Sequence, residues 1–262
     1  MIGSHDILLV TLDTLRYDVA VEAMDRGLTP ELQRRCPGRQ WELRHSPGSF
    51  TYSAHQAFFA GVLPTPAAPG THERLFAARL AGSETTGAQT AVFDAPDIVT
   101  GLAQADYHTV CIGGVGFFNK QTPLGCVLPS LFAESHWSTA LGVTSLESTQ
   151  RQVELAKCII AELAPDRRLM LFVNVSAIHQ PNCIYVAGAR HDDKQTMMAA
   201  LAYVDPWLGR LFDAMRRRSP VLAVVCSDHG TAYGEEGFHG HRVAVPAVWN
   251  VPYAEFVLEK LG

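Results

Sequence analysis

Two apolar runs in this chain end on acids. Ala223-Val224-Val225-Cys226 breaks off into Ser227-Asp228-His229-Gly230, and Ile7-Leu8-Leu9-Val10-Thr11-Leu12 into Asp13-Thr14-Leu15-Arg16-Tyr17-Asp18. A carboxylate is a hard ligand that cancels cationic charge, and neutral imidazole suits Zn, Mn or Fe. One Asp-His pair alone reads first as a turn, with an N-cap Asp and a solvated His. The second strand end decides between the readings, because open α/β sheets bind ligands beyond the carboxyl ends of their strands. Asp13, Asp228 and His229 are therefore expected to converge on one divalent cation.

A hydroxyl-rich stretch offers a partner for that cation. Ser46-Pro47-Gly48-Ser49-Phe50-Thr51-Tyr52-Ser53-Ala54-His55 reads as a loop running into a helix. Ala57, Phe58 and Phe59 of that helix pack inward, and Gly61 and Pro64 end it. A hydroxyl at a helix start either caps it or presents a nucleophile where N–H groups and the dipole favour an anion. Thr51 and Ser53 are equal candidates on this ground. His179 stands at a third strand end, where alone it reads as a satisfied loop histidine, and His239 and His241 lie in a Gly- and His-rich loop over residues 234–242.

The elements that must position these residues follow from periodicity. Continuous apolar runs bounded by polar turns predict buried strands over Ile7–Leu12, Tyr107–Ile112, Leu169–Val175 and Pro220–Ser227. Trp41 to His45 alternates as an extended segment. Helices are expected over Val19–Met24, from Thr29 (N-cap) and Pro30 onward, over Asp97–Ala105, over Ser145–Leu163 and over Lys194–Arg217. The last carries Met197, Leu201, Val204, Leu208, Leu211 and Met215 at helical spacing and closes on a solvated basic end, Arg216-Arg217-Arg218. Residues 65–95 read as a surface excursion and lid, with one helix at Glu73–Leu80. Gly113-Gly114-Val115-Gly116 matches neither GxGxxG nor a Walker motif, and backbone crowding explains it as well as phosphate binding. Strands alternating with helices predict a largely parallel sheet covered on both faces.

Composition bounds the function. The 262 residues suffice for one α/β domain over residues 1–262. The net charge of −5 gives no reason to expect nucleic acid, and no apolar run reaches membrane-spanning length, so neither nucleic acid nor membrane is expected as partner. The first strand begins by residue 6, and the cysteines (Cys36, Cys111, Cys126, Cys158, Cys183, Cys226) form no CxxC. These features predict reduced thiols in a cytoplasmic protein without a signal peptide.

At this point the ordered motifs resemble the alkaline phosphatase and sulfatase superfamily of metal-dependent hydrolases. Asp13 to Asp18 is similar to its opening metal motif and Ser227 to Gly230 to its closing one. Thr51-Tyr52-Ser53-Ala54-His55, with Gly61 and Pro64, resembles the sulfatase motif C-x-P-S-R, and more closely T-F-P-N-H of the nucleotide pyrophosphatase/phosphodiesterase branch. Tyr107-His108-Thr109 with Gly113, His179-Gln180-Pro181 and Tyr203-Val204-Asp205 resemble further segments in family order. The resemblance implies an alkaline-phosphatase-like α/β fold with one divalent metal (Zn, Mn, Mg or Ca) on Asp13, Thr51, Asp228 and His229. It makes Thr51 the nucleophile, passing through a phospho-threonine. His179 and His241, the latter roughly where sulfatases carry a lysine, bind phosphate oxygens or protonate the leaving group.

The departures narrow the activity. Thr51 cannot become formylglycine, so sulfate esters are poor substrates. Gly114 and Gly116 stand where sulfatases carry Lys and His, and His55 replaces their arginine. No Asp followed four positions on by His supports a second metal. The expected activity is hydrolysis of small phosphate mono- or diesters. The alternatives are a phosphotransferase or phosphomutase, a sulfatase-type activity, and a non-catalytic binding subunit. The large C-terminal subdomain of many sulfatases is missing, which leaves the pocket open or completed by a partner protein or a second copy.

Overall fold

A computed structural model describes residues 1–61, 74–76, 90–92 and 97–262. In chain order the elements are β1 (Asp6–Leu12), α1 (Tyr17–Asp25), α2 (Pro30–Gln33), β2 (Glu42–His45), α3 (Thr51–Ala60), β3 (Arg74–Phe76), β4 (Thr90–Val92), α4 (Ile98–Gln104), β5 (Tyr107–Ile112) and α5 (Pro123–Val127). They continue as β6 (Glu134–His136), α6 (Ser148–Glu162), β7 (Arg168–Val175), α7 (Lys194–Arg218), β8 (Val221–Cys226), β9 (Ala232–Tyr233), β10 (His239–Gly240), α8 (Pro246–Trp249) and β11 (Asn250–Leu258).

The central sheet runs β2-β11-β8-β1-β7-β5-β6. β8, β1, β7, β5 and β6 are mutually parallel, while β11 is antiparallel to β8 and β2 to β11. The expected largely parallel α/β architecture is the one found. Side chains alternate across the sheet, as strand geometry requires. Leu8, Val10, Leu12, Leu171, Val173, Ala223 and Val225 share one core with α1, α6 and α7. Met170 and Phe172, with Ile7 and Leu9 against them, face the other way onto Phe59 of α3 and Val99 and Leu102 of α4. A one-residue slip of β7 would drive Asn174 into the core of the opposite face, so burial on both faces fixes the register that the site depends on. Among the described residues, no helix is long and apolar enough to cross a membrane.

Several local expectations need correction. The helix expected at Glu73–Leu80 is, where described, the strand β3, held parallel to β4; the rest of that stretch, most of the expected lid and Pro64 lie outside the described residues. Sequence reading assigns nothing beyond residue 242, yet β11 is long and paired between β2 and β8. Of the two readings of Gly113 and Gly114, crowding is the one with contacts behind it. A Cβ on Gly113 would meet the Phe118 side chain at 2.2 Å, and one on Gly114 the Asn174 carbonyl at 2.4 Å, so crowding accounts for both.

Thr29 does not cap α2 through its side chain. The cap comes instead from Asp205 on α7, whose buried carboxylate accepts from the N–H groups of Glu31 and Leu32, both at 2.9 Å. Truncating it strands two helix N–H groups, so Asp205→Ala should cost about 2 kcal/mol of stability. Urea unfolding reads that loss. Zn2+ affinity should stay at the wild-type value, and a parallel loss of affinity would contradict this purely structural role.

Candidate metal centre

β1 and β8 are neighbours in register, and the chain leaves both on the same edge of the sheet. Thr14 turns sharply out of β1 with φ at +64° and donates its N–H to Asp228 Oδ1 at 3.2 Å. The His229 N–H donates to the same oxygen at 3.0 Å. Asp228 Oδ2 is left without a hydrogen-bond partner, 3.5 Å from His229 Nε2. Asp13 repeats the pattern. Its Oδ2 accepts from Asn174 Nδ2 at 2.9 Å, and its Oδ1 is unpartnered, 3.9 Å from His229 Nε2.

The tautomer of His229 follows from its surroundings. Nδ1 lies 2.8 Å from the Gly230 carbonyl, which can only accept, so the proton sits on Nδ1 and Nε2 presents a lone pair. Two orphaned carboxylate oxygens and one imidazole lone pair thus face one another within 4.8 Å, on three residues with 0% exposure. Burying acceptors without a partner is costly, and a cation among them removes the cost. Burial pushes the Asp13 and Asp228 carboxyls up, Asp13 further through the neighbouring Asp228 charge, and burial pushes His229 down. The donor set therefore fits one divalent metal. Asp18, the second acid of the opening motif, lies apart, paired to Arg16 and Lys194.

Thr51 and Ser53 separate here. Phe50 is the N-cap of α3, and neither hydroxyl caps it. Thr51 Oγ1 lies 3.3 Å from His229 Nε2 and 3.5 Å from Asp13 Oδ2, whereas Ser53 Oγ donates backward to the Phe50 carbonyl at 3.0 Å. Ser46 ties the preceding loop down by donating to the Asp228 carbonyl. His241 packs on His229 with ring centroids 4.8 Å apart, and His179 on His241 at 5.9 Å. His239 is exposed on β10 and takes no part.

No protein-family model and no curated protein matches the chain. Solved structures do. The C-terminal periplasmic domain of the phosphoethanolamine transferase EptC from Escherichia coli, in complex with Zn, matches with a TM-score of 0.65 at 12% identity over 98% of this chain and 75% of that one. The corresponding domain of EptC from Campylobacter jejuni matches at 0.59 and 13% over 97% and 80%. An alkaline phosphatase superfamily protein from Vibrio parahaemolyticus matches at 0.61 and 17% over 98% and 60%. The fold is that of the alkaline phosphatase superfamily.

On that fold one expectation is overturned. The cytoplasmic assignment rested on the early start of β1 and on unpaired cysteines. Structures sharing the alkaline phosphatase fold with this chain are C-terminal periplasmic domains, so a strand at residue 6 argues nothing about compartment. Free thiols argue as little, because all six cysteines here are simply without a partner in reach. Sequence reading also passes over Asn174, the residue that holds Asp13. Its signal is a polar side chain inside the apolar run Leu171-Phe172-Val173-Asn174-Val175, and buried polar residues are the informative ones.

Proposed function

We propose that the chain is a metal-dependent phosphotransferase that moves a phosphoryl group, substituted or not, from a small phosphoester to an alcohol by way of Thr51. One observation carries the reading: the Thr51 hydroxyl stands at the start of α3 between His229 Nε2 and Asp13 Oδ2. The solved structures of the same fold include phosphoethanolamine transferases, and they favour transfer over the simple hydrolysis expected from sequence.

Asp13, Thr51, Asp228 and His229 would hold the metal, which when bound lowers the pKa of a coordinated hydroxyl and stabilises charge on phosphate oxygens. The residues divide the remaining work. Thr51 Oγ1, having lost its proton to solvent, forms the bond to phosphorus as the bond to the donor's alkoxide breaks; an acceptor hydroxyl, giving its proton to His179, then attacks phosphorus and the Thr51–phosphorus bond breaks. The first N–H groups of α3 have no intrahelical acceptor and point at the anion. His241, pushed down to about 4 by burial and then by His229 and His179, is a neutral imidazole with an unpartnered Nδ1. It supplies a hydrogen bond to a non-bridging oxygen. His179 has Nδ1–H held by the Gln180 carbonyl at 2.6 Å, so Nε2 is its working nitrogen: as imidazolium it gives the Nε2 proton to the departing alkoxide, and as neutral imidazole it takes a proton back from the acceptor hydroxyl. The finding that similar domains are periplasmic supports a setting outside the cytoplasm.

Partition of products tests transfer against hydrolysis. The Zn2+-loaded protein is given a chromogenic phosphodiester with rising concentrations of a small alcohol. Transfer predicts that alcohol captures the group far beyond its molar share against water. Capture in proportion to molar share at every concentration would instead identify a hydrolase.

A further inference from the structure

We infer that Asn174, Thr11 and His55 form a buried positioning relay that ties the Asp13 carboxylate to the backbone of Thr51 and so sets the spacing of two metal ligands. The inference rests on the metal-centre reading above. It concerns residues outside the proposed ligand set, of which His55 also lies with Nδ1 3.7 Å from Asp228 Oδ2.

The relay is continuous. Asn174 Nδ2 donates to Asp13 Oδ2 at 2.9 Å and to Thr11 Oγ1 at 3.2 Å. Thr11 Oγ1 lies 3.0 Å from His55 Nε2, and His55 Nδ1 lies 2.7 Å from the Thr51 carbonyl. Thr11, His55 and Asn174 all show 0% exposure, so water offers no alternative partner. The relay crosses from β7 to its ladder partner β1 and on to α3.

Only one arrangement of protons satisfies every link. The Gly114 and Val115 N–H groups both donate to Asn174 Oδ1, at 3.2 and 3.0 Å, which fixes the amide with its Nδ2 toward Asp13 and Thr11. Two N–H groups and two lone pairs are then fully used. The Thr51 carbonyl can only accept, so His55 carries its hydrogen on Nδ1. Its Nε2 is then bare and accepts the proton of the Thr11 hydroxyl. Phe118, Phe172 and Phe58 surround the imidazole with ring centroids 5.3 to 5.6 Å away, so it can neither flip nor take a charge cheaply.

The relay has two effects. It occupies Asp13 Oδ2, which leaves Oδ1 as the oxygen aimed at the metal. It also pins the first turn of α3 through a carbonyl, so the Thr51 hydroxyl is held at a set distance from the Asp13 carboxylate. Partners of this kind, one shell out from a metal, commonly change its affinity by about 10–100-fold.

Thr11→Val tests the middle link with little change in shape. The chelator-stripped proteins are titrated calorimetrically with Zn2+, and their urea midpoints are recorded alongside. Thr11→Val should bind about 10–100-fold more weakly than wild type, while Thr11→Ser, which keeps the hydroxyl, should bind close to wild type. Loss of affinity in Thr11→Val without rescue in Thr11→Ser marks a mere packing effect and overturns the relay. So does unchanged affinity in a folded Thr11→Val. Should Thr11→Val not fold, His55→Phe, which fills the aromatic nest but breaks both bonds, decides on the same criterion. Failure of both to fold would make these residues a requirement of the fold and sink the proposal. Zn2+ that does not bind wild type removes the metal centre itself, an outcome distinct from a relay that fails alone.

Discussion

Thr51→Ala should abolish group transfer, by on the order of 10³-fold or more, while leaving the protein folded. The hydroxyl is the side-chain oxygen of α3 that reaches the His229 and Asp13 ligand atoms, and alanine offers no replacement. The fold loses little, because Phe50 and not Thr51 occupies the N-cap and the side chain makes no capping bond. The remaining cost is a small buried group, about 1 kcal/mol. Thr51→Ser keeps a hydroxyl at the same position and should retain activity. Ser53→Ala should keep it too, since Ser53 Oγ is already engaged with the Phe50 carbonyl. Zn2+ affinity of Thr51→Ala should fall through the loss of one ligand. Acid quench during turnover, followed by peptide mapping, locates the modified residue. A phosphate ester on Ser53, or none at all during turnover, would overturn the assignment of Thr51.

How far the sequence carried this reading depends on the residue. Asp13 and Asp228-His229 were legible because each ends an apolar run, and a parallel sheet brings such ends to one edge. Thr51 and Ser53 were not separable from local pattern, because both sit in one helical turn. The separation is tertiary. Thr51 and His55 are four residues apart and share the helix face turned to the sheet, while Ser53 lies two residues on and points away. Asn174 hid inside a strand whose apolar neighbours dominate the periodicity.

The strand β11 was missed for a different reason. Pro252 lies in its middle, and proline argues against a strand with neighbours on both sides. The short partner β2, with only four residues, and the Ser227 N–H donating to the Pro252 carbonyl accommodate it. The strand at Arg74–Phe76 exists through pairing with β4, a contact that no local window contains. Compartment is written in none of these residues, since the sheet and its ligands serve equally on either side of a membrane.

Removing the metal should make wild type less stable than Asp228→Asn at pH 8, and restoring it should stabilise wild type alone. Burial raises the Asp228 carboxyl from the ordinary 3.8 to about 7. Below that ordinary value both folded and unfolded chains hold the proton, and the group contributes nothing. As pH rises, the unfolded chain gives up its proton first while the folded one keeps it, so metal-free stability falls across the window from about 4 to about 7. Asparagine has no proton to lose. Its Oδ1 can still accept from the Thr14 and His229 N–H groups, and its Nδ2 can donate to the His229 Nε2 lone pair that Asp228 Oδ2 now faces. Asp13, freed of the neighbouring Asp228 charge, is raised less in the variant, which adds to the difference in the same direction. The metal-free variant should therefore match wild type near pH 4 and exceed it at pH 8 by at least ~1.4 kcal/mol, a factor of ten in the folding equilibrium. Zn2+ at a hundred times its dissociation constant should then add about 2.7 kcal/mol to wild type alone. Urea denaturation at the two pH values, with and without Zn2+, measures all four states. A stability difference that ignores pH, or equal Zn2+ stabilisation of both proteins, would remove Asp228 from the metal centre.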